Sequence, residues 1–155
     1  MRKEFEPYKQ DTKFTCAPAT LKIGYKSLGF TISEKRLREE LNTDKDGTYW
    51  RDVRINPGLH GFEKIYRSKV LGNLTYRDLR IWTKIRDGFV VVSFLNYRVE
   101  PPDFHFSLLR SALDDYVVLM DPGIGQLNRK KKNIWMQVWT DQDPSRPAML
   151  VWKEE

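Results

Sequence analysis

Cys16 is the only cysteine among 155 residues, and His105 is one of only two histidines. Gln10 precedes the cysteine by six positions, and Asp121 follows the histidine by sixteen. Those four side chains are the parts of a thiol acyl-transfer site: a nucleophile, a base, a carboxylate to orient the base, and an amide donor for the developing oxyanion. The attacking species is the thiolate, whereas a free cysteine is mostly protonated at neutral pH. The pattern sets Cys16 where a polar loop gives way to a helix, and the positive end of a helix dipole favours an anion there. Taken singly, each residue also has a plainer reading. Cys16 fills space as a small apolar side chain, His105 is structural, Asp121 belongs to an Asp-Pro-Gly turn, and Gln10 is a surface amide. The second histidine, His60 in Pro57-Gly58-Leu59-His60-Gly61, reads as a turn residue.

Such a site needs a scaffold, and the composition supplies one. Hydrophobic residues are 40% of the chain and aromatics 13%, which fits a packed core in one domain, residues 1–155. No apolar run approaches the ~20 residues of a membrane helix. The first ten residues, MRKEFEPYKQ, lack the apolar stretch of a secretory signal, so a cytoplasmic protein is expected. A lone cysteine excludes an internal disulfide and any zinc site built on paired cysteines. Asp44, Asp46 and Gly47 begin like a calcium loop, but the later ligands are missing. No metal and no cofactor are therefore expected. The net charge of +6 and the run Arg129–Lys132 are compatible with nucleic acid, but read more simply as a solvated basic loop. Gly123-Ile124-Gly125 lacks the strand–helix setting of a phosphate loop.

The elements that must position the four residues follow from periodicity. Residues 1–15 form an extended lead-in. Leu21, Tyr25 and Leu28 recur at helical spacing from Cys16 until Gly29, with Pro18 in the tolerant first turn. Ser33 caps a helix over 34–41, with Leu37 and Leu41 inward. Thr48 caps a third helix over 49–55, residues 62–70 make a strand, and Thr75 caps a fourth helix reaching Arg86. Residues 89–95 read as a buried strand. Residues 105–113 and 116–120 form a hairpin around Asp114-Asp115, which brings His105 and Asp121 to one end of a ladder. Asn128 caps a short basic helix or loop containing Trp135 and Trp139, and 148–152 is a last strand. Helices come first and a mostly antiparallel sheet follows, an α+β order.

In this order the residues resemble a known family. Gln10-Asp-Thr-Lys-Phe-Thr-Cys16-Ala-Pro-Ala is similar to the glutamine-to-cysteine box of the bacteriocin-processing, double-glycine leader cysteine peptidases. His105-Phe-Ser-Leu-Leu, followed by Val117-Val-Leu-Met-Asp121-Pro122, is similar to their histidine and aspartate boxes. The resemblance implies a papain-like fold with N-terminal helices packed on the sheet. It also implies a peptide or protein substrate, cut after a small residue such as glycine. Cys16 becomes the nucleophile, His105 the base and Asp121 its orienter. Gln10 and the Cys16 backbone amide become the oxyanion donors. The family usually has glycine after the cysteine, where this chain has Ala17. No transporter segment accompanies the boxes. Two rival expectations stand beside the peptidase: a peptidase-like binding module without turnover, and a basic nucleic-acid-binding protein.

Overall fold

The computed structural model describes residues 4–55 and 66–154. A lead-in segment runs into α1 (Cys16–Ser27), which is followed by α2 (Glu34–Glu40) and a 3-10 turn (Trp50–Asp52). Then come β1 (Tyr66–Leu71), α3 (Tyr76–Trp82), β2 (Gly88–Asn96), β3 (Asp103–Ala112), β4 (Tyr116–Asp121), β5 (Gln126–Lys131), α4 (Lys132–Gln142) and β6 (Ala148–Lys153). The strands form one antiparallel sheet in the order β1-β6-β2-β3-β4-β5.

Helices cover both faces of this sheet. Side chains alternate along a strand, so successive residues of β2 serve opposite layers. Phe89 and Val91 pack under α1 with Phe106, Leu108, Met120, Met149 and Val151. Val90, Val92 and Phe94 face α4 with Leu109, Val117 and Leu119, and α3 adds Leu79. That double burial is why β2 reads as one continuous apolar run rather than an alternation. The helix starts follow their caps. Ser33 Oγ accepts the Arg36 amide at 3.1 Å. Thr75 and Asp78 close a reciprocal capping box at 3.1 and 2.7 Å.

Four expectations need correction. The helix expected over 49–55 is a three-residue 3-10 turn, because Trp50 Nε1 reaches across to Ser93 Oγ at 2.8 Å and its ring packs edge-on to Phe106. The helix expected to reach Arg86 ends at Trp82, where Thr83 turns its Oγ1 back onto the Arg80 carbonyl. Asn128 caps nothing; it lies inside β5, and the α4 helix starts after Lys131. The basic run is exposed at Arg129, Lys131 and Lys132, as expected, but it is not a loop: it closes β5 and opens α4. Arg129 lies over Tyr116, Lys130 over Phe94 and Lys132 over Tyr76, at 4.7, 4.8 and 4.6 Å from the ring centroids. The strand expected over 62–70 begins at Tyr66 among the described residues, and its earlier part and His60 lie outside them.

One feature of the sheet matters most for the site. The β3–β4 ladder runs from Ala112↔Val117 only as far as Leu108↔Met120. Beyond that point β3 remains paired to β2 as far as Asp103, and β4 remains paired to β5 through Asp121. The two central strands therefore part, leaving an opening inside the sheet rather than at its edge.

The core account predicts a clear contrast. Trp139 is fully buried, stacked on Trp135, and donates Nε1 to the Pro147 carbonyl at 3.1 Å. Trp139→Ala should cost about 3–5 kcal/mol in guanidinium unfolding. Tyr49→Ala, at an exposed ring, should change stability by less than about 0.5 kcal/mol.

Candidate active site

The start of α1 enters the opening. Cys16 is the first residue of that helix and is buried, 5% exposed. Its sulfur accepts the Phe106 backbone amide at 3.5 Å, on β3 where the ladder to β4 has stopped. No side chain caps the helix. Thr15 Oγ1, which could have done so, instead accepts the Thr12 amide and donates to the Thr12 carbonyl, both at 3.1 Å. Pro18 has no N–H to satisfy. Among the described residues the Cys16 and Ala17 amides are thus left without an acceptor, next to the sulfur. Ala17 is an ordinary buried helical residue, so the position needs none of glycine's backbone freedom.

His105 and Asp121 meet across the same opening. The register places Asp121 opposite Ser107, one step beyond the last pair, and His105 is its diagonal neighbour on the same face. His105 Nε2 donates to Asp121 Oδ1 at 2.5 Å, with the two residues only 8% and 6% exposed. That bond occupies Nε2 and leaves Nδ1 free, with Cys16 close enough to act on the charge of the ring. Phe94 packs edge-on against the imidazole, with centroids 5.5 Å apart. Burial opposes a charged ring here. Hydrogen bonding to Asp121 and Cys16 outweighs it and raises His105 from 6.5 to about 10. For Asp121 burial likewise opposes charge. The His105 bond, the Gly123 amide at 2.8 Å and the nearby Lys130 overcome it and hold the carboxyl below its usual range.

Gln10 approaches from the lead-in. Its backbone amide donates to the Pro122 carbonyl at 2.9 Å, which ties it to the turn that follows Asp121. Its Nε2 donates to the Thr12 carbonyl at 2.6 Å, a contact that fixes which end of the carboxamide is nitrogen. The second Nε2 hydrogen is unclaimed among the described residues, and Oε1 is buried without a partner.

Two glycines that carried no clear signal in the sequence turn out to shape this site. A Cβ on Gly123 would lie 3.0 Å from His105 Cε1 and 3.1 Å from both His105 Nε2 and Asp121 Oδ1. Gly125, at φ +69°, would place a Cβ 2.8 Å from Lys9 Cβ, beside Gln10. The Asp-Pro-Gly turn was the available signal for the first, and nothing in the sequence pointed to the second.

Chemically, the opening holds a thiol, an imidazole whose tautomer is fixed by a buried carboxylate, and unclaimed amide donors at the same helix start. That is an arrangement able to form an acyl-thioester and stabilise a tetrahedral oxyanion. Among the described residues no cluster of His, Cys, Asp and Glu could hold a metal ion.

Two outcomes follow. The His105 proton should titrate near 10 by NMR, and in Asp121→Asn the midpoint should fall toward 6.5. A raised value means that the pair's contribution to stability is complete below 6.5 and lost as pH rises through about 10. Gly123→Ala should displace the ring from Asp121 and lower turnover by about 10²-fold, with only a modest change in Tm.

No protein-family profile matches the chain, and no curated protein matches it. Solved structures do. The peptidase domain of Streptococcus ComA, a bifunctional ABC transporter of a quorum-sensing pathway, superposes with a TM-score of 0.69 at 18% identity, covering 97% of this chain and 100% of that one. A double-glycine motif protease from an AMS/PCAT transporter, solved with its leader peptide, gives 0.68 at 14% identity, covering 99% and 94%. A protein from Bacillus anthracis described as a C39-like peptidase gives 0.74 at 14% identity, covering 97% and 96%. This chain thus has the papain-like α+β fold of the C39-like, double-glycine peptidase domains, the family its cysteine, histidine and aspartate boxes resemble.

Proposed function

We propose that this chain is a cysteine peptidase of the double-glycine type, acting as one domain on a peptide substrate cut after a small residue. The observation that carries the reading is the buried His105–Asp121 pair set against the sulfur at the start of α1. A hydrogen-bonded imidazole and carboxylate, both over nine-tenths buried, are costly to assemble, and a binding module has no physical need of them. A double-glycine protease of the same fold binds a leader peptide, which supports a peptide substrate for this one. A lone thiol retained for reactivity suits a reducing compartment such as the cytoplasm. No helix among the described residues is long and apolar enough to cross a membrane.

In the proposed reaction His105, an imidazolium at neutral pH, already holds the thiol proton on Nδ1, and the sulfur attacks the scissile carbonyl carbon. The carbonyl oxygen becomes an oxyanion, held by the Cys16 amide and the free hydrogen of Gln10 Nε2. His105 returns the proton to the leaving amine as the C–N bond breaks. Water, deprotonated by His105, then cleaves the thioester and releases the acid. Asp121 keeps Nε2 protonated throughout, so the nitrogen facing the sulfur is the one that exchanges protons.

The test is reactivity combined with turnover. Iodoacetamide should alkylate Cys16 at least about tenfold faster than a free cysteine near neutral pH. His105→Ala should abolish that advantage, and Cys16→Ala should abolish cleavage of peptides carrying Gly-Gly before the scissile bond. Alkylation at the rate of an ordinary thiol, unchanged by His105→Ala, would refute the assignment.

A further inference from the structure

The turn 122–125 joins β4 to β5 and touches both halves of the site. Asp121 and Gln126 are themselves a ladder pair, so the turn is tight. It closes on the Asp121 carbonyl, which accepts the Ile124 amide at 3.3 Å and the Gly125 amide at 2.8 Å. Its first half packs on the base, through Gly123 against His105. Its second half packs on the lead-in, through Gly125 against Lys9. The contact with Lys9 is made to main chain as well as side chain. A Cβ on Gly125 would stand 2.8 Å from Lys9 Cβ, 3.2 Å from its Cα and 3.3 Å from its N.

Gln10 follows Lys9 directly, and its bonds lead to both sides of the site. Its amide donates to the Pro122 carbonyl at 2.9 Å, inside the same turn. Its Nε2 donates to the Thr12 carbonyl at 2.6 Å. That carbonyl also accepts Thr15 Oγ1 at 3.1 Å, one residue before Cys16. Beyond Gln10 the Asp11 amide is held by both carboxylate oxygens of the buried Glu34, at 3.1 and 3.2 Å. At Lys9 the chain is placed by packing instead: it lies where a side chain on Gly125 would stand.

We propose that Gly125 is a positioning residue for the oxyanion donor. The space left by its missing side chain lets the lead-in lie on the turn, so that the Gln10 carboxamide reaches the turn leading into Cys16. The inference rests on the peptidase reading above. A Cβ 2.8 Å from another carbon must displace something. The turn is held by the Asp121 carbonyl and by the fit of Gly123 against the imidazole, so the lead-in is the part that gives. Gln10 then moves with Lys9, and its bond to Pro122 lengthens. Misplacement by about 1 Å can cost about 10²-fold in rate. The sulfur on the Phe106 amide and the imidazole on Asp121 are held by their own partners and stay in place.

Gly125→Asn is the probe. Asparagine accepts a positive φ far better than most residues, so it brings in the Cβ without forcing the backbone at φ +69°. Iodoacetamide is attacked without any oxyanion, so its rate reports Cys16 and His105 but not where Gln10 sits. Peptide cleavage depends on all three. Gly125→Asn should lower kcat for a Gly-Gly peptide about tenfold or more, with KM, alkylation and the His105 titration unchanged. Gln10→Ala should lower kcat by about 10²-fold, and adding Gly125→Asn to it should lower kcat no further. A last readout needs no turnover. The Gln10 amide should exchange with solvent at least about tenfold faster in Gly125→Asn than in wild type, while the Phe106 amide keeps its protection. An intact kcat in Gly125→Asn, a loss that adds in full to that of Gln10→Ala, alkylation that falls in parallel with kcat, or an unaltered Gln10 exchange would each overturn the proposal. Slow alkylation of wild-type Cys16 with Gln10 exchange still quickened by Gly125→Asn would instead count against the peptidase reading and leave the packing of the lead-in on Gly125 standing.

Discussion

A β-ladder leaves no space between its strands for a side chain, let alone for the end of a helix. The site exists because β3 and β4 stop pairing at Leu108↔Met120 while each stays bonded to its outer neighbour. The parting frees the Phe106 amide, which the Cys16 sulfur then satisfies. It also brings together two kinds of element that a flat sheet would keep on opposite sides. α1 packs on one face with Phe106 and Leu108, whereas His105 and Asp121 belong to the other face by their register. Sulfur and imidazole meet only through the gap between the strands.

Partners, more than position, set the electrostatics. Asp121 and Glu34 are both buried acids, yet they shift in opposite directions. Burial pushes each upward. Asp121 has an imidazolium partner, a backbone amide and Lys130 beside it, and these reverse the effect. Glu34 faces another carboxyl and a tyrosine, so the effect stands. Pairing therefore decides the charge of each acid more than depth does. The aromatic layer continues outward from the imidazole: Phe94 packs edge-on to His105, Lys130 lies on Phe94, and Trp135 packs behind that ring. Three of the four residues of the basic run, which suggests a nucleic-acid surface in the sequence, lie over aromatic rings, and one of these rings, Phe94, packs on His105.

Local signals carried much of the fold. The starts of α1, α2 and α3, the buried β2, and the hairpin joining His105 to Asp121 were readable from caps, periodicity and the Asp114-Asp115 turn. What failed was governed by distant partners. The segment at Trp50 has a helix-like start, but its indole is anchored on Ser93, 43 positions away. Arg129 and Lys130 read as loop residues until Tyr116 and Phe94 are placed beside them. At the site, Cys16, His105, Asp121 and Gln10 could be chosen by type and spacing. Glu34 could not, because nothing in a helix-capping sequence announces that its first glutamate will be buried against a segment 23 positions earlier. Gly123 was visible as a turn residue, while its contact with the imidazole depends on the parted strands.

The central claim is that folding sets the Cys16 sulfur and the His105 imidazole together through the opening in the sheet. A high-resolution crystal structure of the free protein reads this directly. The account predicts the sulfur within hydrogen-bonding reach of His105 Nδ1, with Nε2 on Asp121 and the Phe106 amide on the sulfur. An imidazole turned away toward the α4 side, or a β3–β4 ladder that stays closed past Leu108 with the sulfur shut behind it, would contradict it.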